Sequence, residues 1–267
     1  MVPVQEQVLI VTGLFVLASV LNGCGQETPA VQTAARAAAG KVKVEYYYEA
    51  ACPVCSTFLV KVLNKTLSHE GMLGPDGAID LHLHPFGNAY FVTEKCGGAG
   101  TYSLPARKCY NTECGKGAKN PSPDCYTGDI VCQHGGPECT LNRYLACSKK
   151  VTSYKAEKFM PYATCLDMGF SMAEENGEYG KLAEFCAKFV AIDINELNTC
   201  HSSSDGQQAM IEEAKSTPPH TLVPYIVVNG QPLTDPYDLL PKICSEYSGE
   251  KVLAPCTKSS SSRRLLV

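Results

Sequence analysis

Two cysteines separated by two residues, Cys52-Pro53-Val54-Cys55, are the part of this sequence best equipped to do chemistry. Disulfide exchange needs a thiolate that can reach a foreign disulfide and a second thiol near enough to release the mixed intermediate. Cys-x-x-Cys at a helix start meets both needs, because the partial positive charge of the helix N-terminus stabilises the anion and can lower a thiol from about 8.5 to as little as about 3.5. Cys52, the more N-terminal and the more exposed in expectation, is assigned as nucleophile and Cys55 as resolving thiol. The shift decides whether an acidic compartment is tolerable. At pH 5 an unshifted thiol is ionised at roughly three parts in ten thousand, and one shifted to about 5 is half ionised. Zinc is the competing use of the pair, but it asks for a second pair at similar spacing, and the sequence offers only the wider Cys109-x4-Cys114 and Cys132-x6-Cys139. Zinc is therefore not expected, and the electrons are assigned to an external thiol reductant.

The elements around the pair must hold it at a helix N-terminus. Val42 to Tyr48 is rich in β-branched and aromatic residues and predicts a strand that runs straight into Cys52. Beyond it Phe58, Leu59, Val62 and Leu63 recur at helical spacing, with Pro53 at the first helical position, where proline is tolerated. A second strand, Ala78 to His84, alternates apolar and polar side chains; His82 and His84 read as its polar face and are assigned no role. Cys96 to Cys147 then holds seven cysteines with much Gly, Pro, Asn and Ser, and predicts a segment stapled by disulfides rather than by a core of its own. From Leu141 to about Ala214 the pattern is helical, with Leu182, Phe185, Cys186 and Phe189 on one face and Asp193 capping a short following turn. Val223 to Val228 predicts a strand, Asn229-Gly230 a tight turn and Gln231 to Leu233 the returning strand. Asp235-Pro236 starts a last helix that carries Leu239, Leu240 and Ile243 inward.

Composition sets the class. The chain has 267 residues, 45% of them apolar and 19% charged, with a net charge of -4, no tryptophan and 15 cysteines. One elaborated domain is the default at that length. The charge gives no field for nucleic acid or for a polybasic membrane contact. The cysteines point to an oxidising compartment. Val8 to Leu21 is apolar, too short to span a bilayer comfortably and suited to the core of a secretory signal, although no Lys or Arg precedes it and Glu6 sits where a positive charge is usual. Leu-Asn-Gly-Cys at 21–24 offers a lipoprotein acylation site as an alternative. Cleavage after Gly25 would remove Cys24 and leave an even 14 cysteines. The expected organisation is a signal peptide over 1–25, a flexible segment over 26–41, a domain over 42–256 and a disordered tail over 257–267, trimmed at Arg263-Arg264. No transmembrane segment is expected in the mature protein. Asn64-Lys65-Thr66 is a glycosylation sequon.

Cys132-Gln133-His134-Gly135-Gly136-Pro137-Glu138-Cys139-Thr140-Leu141-Asn142-Arg143-Tyr144-Leu145-Ala146-Cys147 resembles in full the signature of the gamma-interferon-inducible lysosomal thiol reductase family. The resemblance continues through Cys52 to Cys55, Pro85-Phe86-Gly87-Asn88 and Val223-Pro224 to Gly230, and covers roughly residues 42 to 256. It implies an α/β, thioredoxin-like fold with a helical, disulfide-stapled insertion over about 96–214, between an N-terminal βαβ part and a C-terminal ββα part. It implies reduction of disulfide-bonded, unfolded protein substrates at acidic pH, in lysosomes or related compartments, without metal or flavin. In such folds the proline matching Pro224 is cis and lies against the reactive pair, which places Val223 and Pro224 on the substrate-side wall. An ordinary proline entering an edge strand is the alternative.

This sequence departs from the family pattern at Cys96, Cys109, Cys114 and Cys125, where the segment is longer and richer in cysteine. Two extra bridges rigidifying a loop are preferred there to a second redox centre. Cys132, Cys139, Cys147, Cys165, Cys186, Cys200, Cys244 and Cys256 complete the structural disulfide candidates, with the pairing left open. His134 is read as a hydrogen-bonded loop residue rather than a catalyst, and Glu138 with Asn142 as a capping pair for the helix beginning near Leu141. A disulfide oxidase or isomerase of the same fold, and a disulfide-stapled binding module with no activity, remain as alternatives, and a monomer is the default.

Overall fold

The computed structural model describes residues 40–257. The signal peptide, all but residues 40 and 41 of the expected flexible segment, and all but Thr257 of the expected tail lie outside the described residues. Strand β1 (Val42–Tyr48) is at the centre of the sheet. It runs parallel to β2 (Ile79–Pro85), in register from Val42 opposite Ile79 to Tyr48 opposite Pro85. On its other side it pairs antiparallel with β5 (Tyr225–Val228), which turns at Asn229-Gly230 into β6 (Gln231–Pro232). The positive φ of both turn residues is the left-handed conformation that asparagine and glycine accept most readily. The order β2-β1-β5-β6, with one parallel and two antiparallel pairings, is the thioredoxin-like sheet that the resemblance implies.

The crossover from β1 to β2 carries α1 (Pro53–Phe58), which continues through a π-helical turn (Leu59–Leu63) into α2 (Asn64–Leu67). Cys55, Leu59 and Leu63 on this stretch are fully buried against the sheet. Between β2 and β5 lie a two-stranded sheet of β3 (Tyr90–Phe91) and β4 (Ile130–Val131), helix α3 (Leu104–Glu113), and a bundle of α4 (Gly136–Val151), α5 (Ala156–Asn176), α6 (Tyr179–Phe189), α7 (Ile194–Ser202) and α8 (Ser204–Ser216). Helix α9 (Leu239–Glu246) closes the sheet, preceded by a 3-10 turn in which Asp235 accepts the Tyr237 amide. Leu239 and Ile243 enter the core and Leu240 is half-buried.

Four expectations need correction. The segment rich in cysteine has a core of its own: Phe86, Tyr90, Phe91, Ala106, Tyr110 and Val131 pack together with Ala209 and Met210 of α8. Its aromatics are spaced by turns rather than by a period, which hides the cluster from a periodicity reading. Helix α4 starts at Gly136, well before Leu141, because Pro137 is pre-set for a first helical turn. Phe185 and Phe189 of α6 are exposed, at 63% and 75%, while Leu182, Ala183, Cys186 and Ala187 face inward. The Cys165–Cys186 bridge pins that narrow face to α5, where Gly169 leaves room for Leu182. His84 is buried rather than solvent-facing, since α4 and α8 cover its strand; it stands 3.0 Å from Glu213, which also pairs with Lys149.

Candidate active site

Strand β1 ends at a turn of buried Glu49 and Ala50 and half-buried Ala51 that delivers Cys52 to the N-cap of α1. Ala51 takes a positive φ of 65° there. Cys52 Sγ accepts the Cys55 amide at 3.4 Å. Its thiol is drawn down to about 6, first by a hydrogen bond from Cys55 and then by the amides of Cys55 and Val54, against the cost of burial and the Glu49 charge. Cys55 beneath it is pushed well up, first by burial and then by the bond to Cys52 and the Cys52 charge. The two thiols therefore differ in environment: Cys52 is 6% exposed and Cys55 is sealed. They are the free cysteines among the described residues, the others being paired as Cys96–Cys109, Cys114–Cys125, Cys132–Cys139, Cys147–Cys200, Cys165–Cys186 and Cys244–Cys256.

His134 does more than the loop role expected of it. The Cys132–Cys139 bridge closes the short loop that carries it, and its Nε2 stands 3.4 Å from Glu49 Oε1. The Glu49 carboxylate is the main reason the imidazole is lifted to about 9, with a bond to Cys52 adding to the effect. An imidazolium thus stands beside Cys52 across the acidic and neutral range. Glu49, which the sequence reading missed, is fully buried. Its Oε2 accepts the Asn88 amide at 2.9 Å, and Gly87 (φ 51°) leaves room that a side chain would fill, since an added Cβ would lie 2.7 Å from that oxygen. The Pro85-to-Asn88 turn is built around this carboxylate. A signal was present in the sequence, for a lone carboxylate ending an apolar strand is costly unless something receives it.

Glu138 and Asn142 reach further than a cap. Glu138 lies in the first turn of α4 and accepts the His134 amide at 2.6 Å, which is a cap-like bond. Its other oxygen accepts Asn142 Nδ2, and Asn142 Oδ1 accepts the Ala50 amide at 2.8 Å. The signature helix therefore holds the turn before Cys52. Burial, and then the Glu49 charge, lifts Glu138 to about 9, so it is a neutral acid in the fold. Asp167 of α5 faces Ser56 from beneath α1; enclosure of its carboxyl lifts it to about 7 despite the Ser56 bond.

Val223 and Pro224, joined by a cis bond, immediately precede Tyr225, which pairs with Tyr47 near the end of β1, and Val223 packs against the core that contains both thiols. Three residues earlier His220 is held by the buried Arg107, whose guanidinium donates to the His220 carbonyl at 3.0 Å. The segment with extra cysteines thus anchors the approach to Val223 and Pro224. Asn64 is exposed and Thr66 of its sequon is buried. Glu49, Cys52 and His134 are the group of side chains among the described residues able to share a metal ion, their ligand atoms lying within 4.8 Å of one another.

Residues 43–114 and 112–190 match the family described as gamma interferon inducible lysosomal thiol reductase. The chain belongs to that family. This lysosomal thiol reductase homologue is 28% identical over 231 residues to the gamma-interferon-responsive lysosomal thiol protein of Arabidopsis thaliana, covering 84% of this chain and 78% of that one. It is 29% identical over 229 residues to the gamma-interferon-inducible lysosomal thiol reductase of Mus musculus, with 84% and 75% covered, and 28% identical over 227 residues to that of Carassius auratus, with 81% and 72% covered. Among solved structures, the oxidoreductase NmDsbA1 from N. meningitidis superposes with a TM-score of 0.40 at 13% identity over 85% of this chain and 87% of that one, too distant to add to the strand order. Family membership makes the chain a thiol–disulfide oxidoreductase. No described helix of this family member is long and apolar enough to cross a membrane.

Proposed function

We propose that this protein reduces disulfides of unfolded protein substrates in an acidic compartment of the secretory pathway, through a Cys52 mixed disulfide that Cys55 resolves. The observation that carries the reading is the placing of the two thiols: Cys52 is the N-cap of α1, its Sγ accepting the Cys55 amide at 3.4 Å and its thiol drawn down to about 6, and Cys55 is sealed beneath it with its thiol pushed well up. At pH 5 a thiol at about 6 is ionised at roughly one part in eleven, which keeps a working population of nucleophile where an ordinary thiol has almost none.

The Cys52 thiolate attacks one substrate sulfur along an extended chain lying against Val223 and Pro224. The substrate S–S bond breaks, and the departing sulfur takes a proton from solvent or from the His134 imidazolium. Cys52 is now uncharged, so the two Cys52 effects that kept the proton on Cys55 are gone, and burial and the smaller Glu49 charge effect remain. Cys55 deprotonates, attacks Cys52 Sγ and expels the second substrate thiolate, leaving a Cys52–Cys55 disulfide. Two electrons from an external thiol reductant restore the pair.

Six bridges in the described chain, and relatives named for the lysosome, support the compartment. Neutral carboxyls at Glu138 and Asp167 suit a low pH as well. The test is reduction of insulin disulfides at pH 4.5 and pH 7 by the mature protein and its Cys52→Ser variant. Turnover at pH 4.5 that vanishes in the variant is the expected result; turnover confined to pH 7, or surviving in Cys52→Ser, overturns the reading.

A further inference from the structure

We infer that the reduced protein binds one zinc ion through Cys52 Sγ, His134 Nε2 and Glu49 Oε1, and that the bound ion holds the enzyme inactive. The inference rests on Cys52 being the reactive thiolate and adds a ligand that disulfide exchange does not need. Two segments distant in sequence bring the donors together: the β1–α1 turn, which carries Glu49 and Cys52, and the loop closed by Cys132–Cys139, which carries His134.

The geometry fits a tetrahedral ion with one open position. Nitrogen and oxygen ligands about 2.1 Å from such a centre stand about 3.4 Å apart. His134 Nε2 and Glu49 Oε1 are separated by 3.4 Å. A sulfur at about 2.3 Å stands about 3.6 Å from each, so from the 4.8 Å limit of the cluster it moves in by about 1 Å at most. Glu49 Oε1 is buried with His134 Nε2 3.4 Å from it, while Oε2 is fixed by the Asn88 amide, so the carboxylate is held with one oxygen turned towards the other two donors. The donor set of one thiolate, one imidazole and one carboxylate is within zinc's preferences, and its two negative charges balance the dication. His134 keeps a third of its side-chain surface exposed, which leaves an entry path.

Binding is a ligand exchange without electron transfer: Cys52 enters as thiolate, Glu49 as carboxylate, and His134 releases its ring proton to solvent. The Cys52 lone pair is then committed to the metal and is withdrawn from attack on a substrate disulfide. In the oxidised protein the Cys52 thiolate no longer exists, so the site belongs to the reduced form alone.

The probe is Co2+, titrated into reduced, reductant-free full-length protein and followed by its thiolate-to-cobalt charge-transfer absorption, with Zn2+ then used to displace it. The expected result is one Co2+ per chain, displaced by Zn2+, absent from the oxidised protein and from Cys52→Ser, retained in Cys55→Ser, and weakened at least about tenfold in His134→Ala and Glu49→Gln. His134 is on a partly exposed loop, so its variant decides the matter even where Glu49→Gln fails to fold. A band that survives unchanged in His134→Ala, or that requires Cys55, identifies ordinary dithiol binding and overturns the proposal, as does the absence of any band in the reduced wild type. Turnover measured with a chelator present tests the reductase reading by itself. Failure there with the cobalt band intact removes the proposed activity and leaves the metal site, whereas full turnover in the presence of one equivalent of Zn2+ removes the inhibition.

Discussion

The sheet and the helical insertion are stabilised by different means. The strands β1, β2 and β5 contain no cysteine and are held by continuous apolar burial, from Val42 and Val44 to Ile226 and Val228. Five of the six bridges lie between Cys96 and Cys200, and the sixth ties α9 to Cys256. The separation keeps a reactive pair out of a framework of inert bridges: Cys52 and Cys55 are on the element where burial alone suffices, and the bridges are where it does not. The comparison also separates two uses of a disulfide within the insertion, since Cys147–Cys200 closes 53 residues of a helical bundle and Cys132–Cys139 closes 7 residues under His134.

The largest expected effect is on the free pair. Cys52→Ser should lower insulin reduction to the uncatalysed background, and Cys55→Ser should accumulate a mixed disulfide visible on non-reducing gels, because attack is retained and release is lost. A Cys55→Ser protein that turns over normally would erase the division of roles between the two thiols. Next come the bridges, whose effects should cross. Replacing Cys147 and Cys200 by serine should remove about 4 kcal/mol of stability by loop-closure entropy while the folded fraction keeps its turnover; replacing Cys132 and Cys139 should remove only about 2 kcal/mol yet cost more activity by releasing His134. Denaturant melts run beside rate assays measure both, and equal activity losses in the two variants would show that His134 needs no anchored loop.

A third test isolates the histidine. Alkylation of Cys52 by iodoacetamide should be half-maximal near pH 6 in the wild type, matching its lowered thiol. In His134→Ala the midpoint should rise by about one unit, as expected when a nearby opposite charge is removed. An unmoved midpoint would leave the Cys55 thiol and the helix-end amides as the causes.

Much of this was legible in the chain. Val42-to-Tyr48, the Cys-x-x-Cys and the Asn229-Gly230 hairpin are local patterns, with period, cap and turn chemistry all within a few residues, and the structure places the elements there. Glu49 and His134 were not, because a carboxylate and an imidazole 85 positions apart become partners only when α4 packs against the end of β1. The inward face of α6 was not legible either. Its two phenylalanines outweigh its alanines on any hydrophobicity scale, but the bridge from Cys186 to Cys165 fixes which side meets α5.

The smallest expected effect concerns the acid buried beneath the pair. Asp167 is lifted from 3.8 to about 7 in the fold, so the folded state binds more protons than the unfolded one between those values, and its contribution to stability falls as pH rises through that window. Asp167→Asn should accordingly gain stability over the wild type at pH 8, on the order of 2 kcal/mol, and gain little at pH 4. Thermal melts at the two pH values check the sign, and a difference that does not grow with pH would place the carboxyl in contact with water.

Asp167 comes from α5, the Ala50 amide is held from α4, and the approach to Val223 is anchored from α3, so three helices outside the sheet complete the site. The redox centre is consequently not a transplantable module. Grafting Cys52 to Cys55 onto another sheet, or trimming this protein to its strands and first helix, would carry the thiols across and leave behind the parts that set their behaviour. Any attempt to make a smaller version has to keep the insertion, since architecture and reactivity here share the same residues.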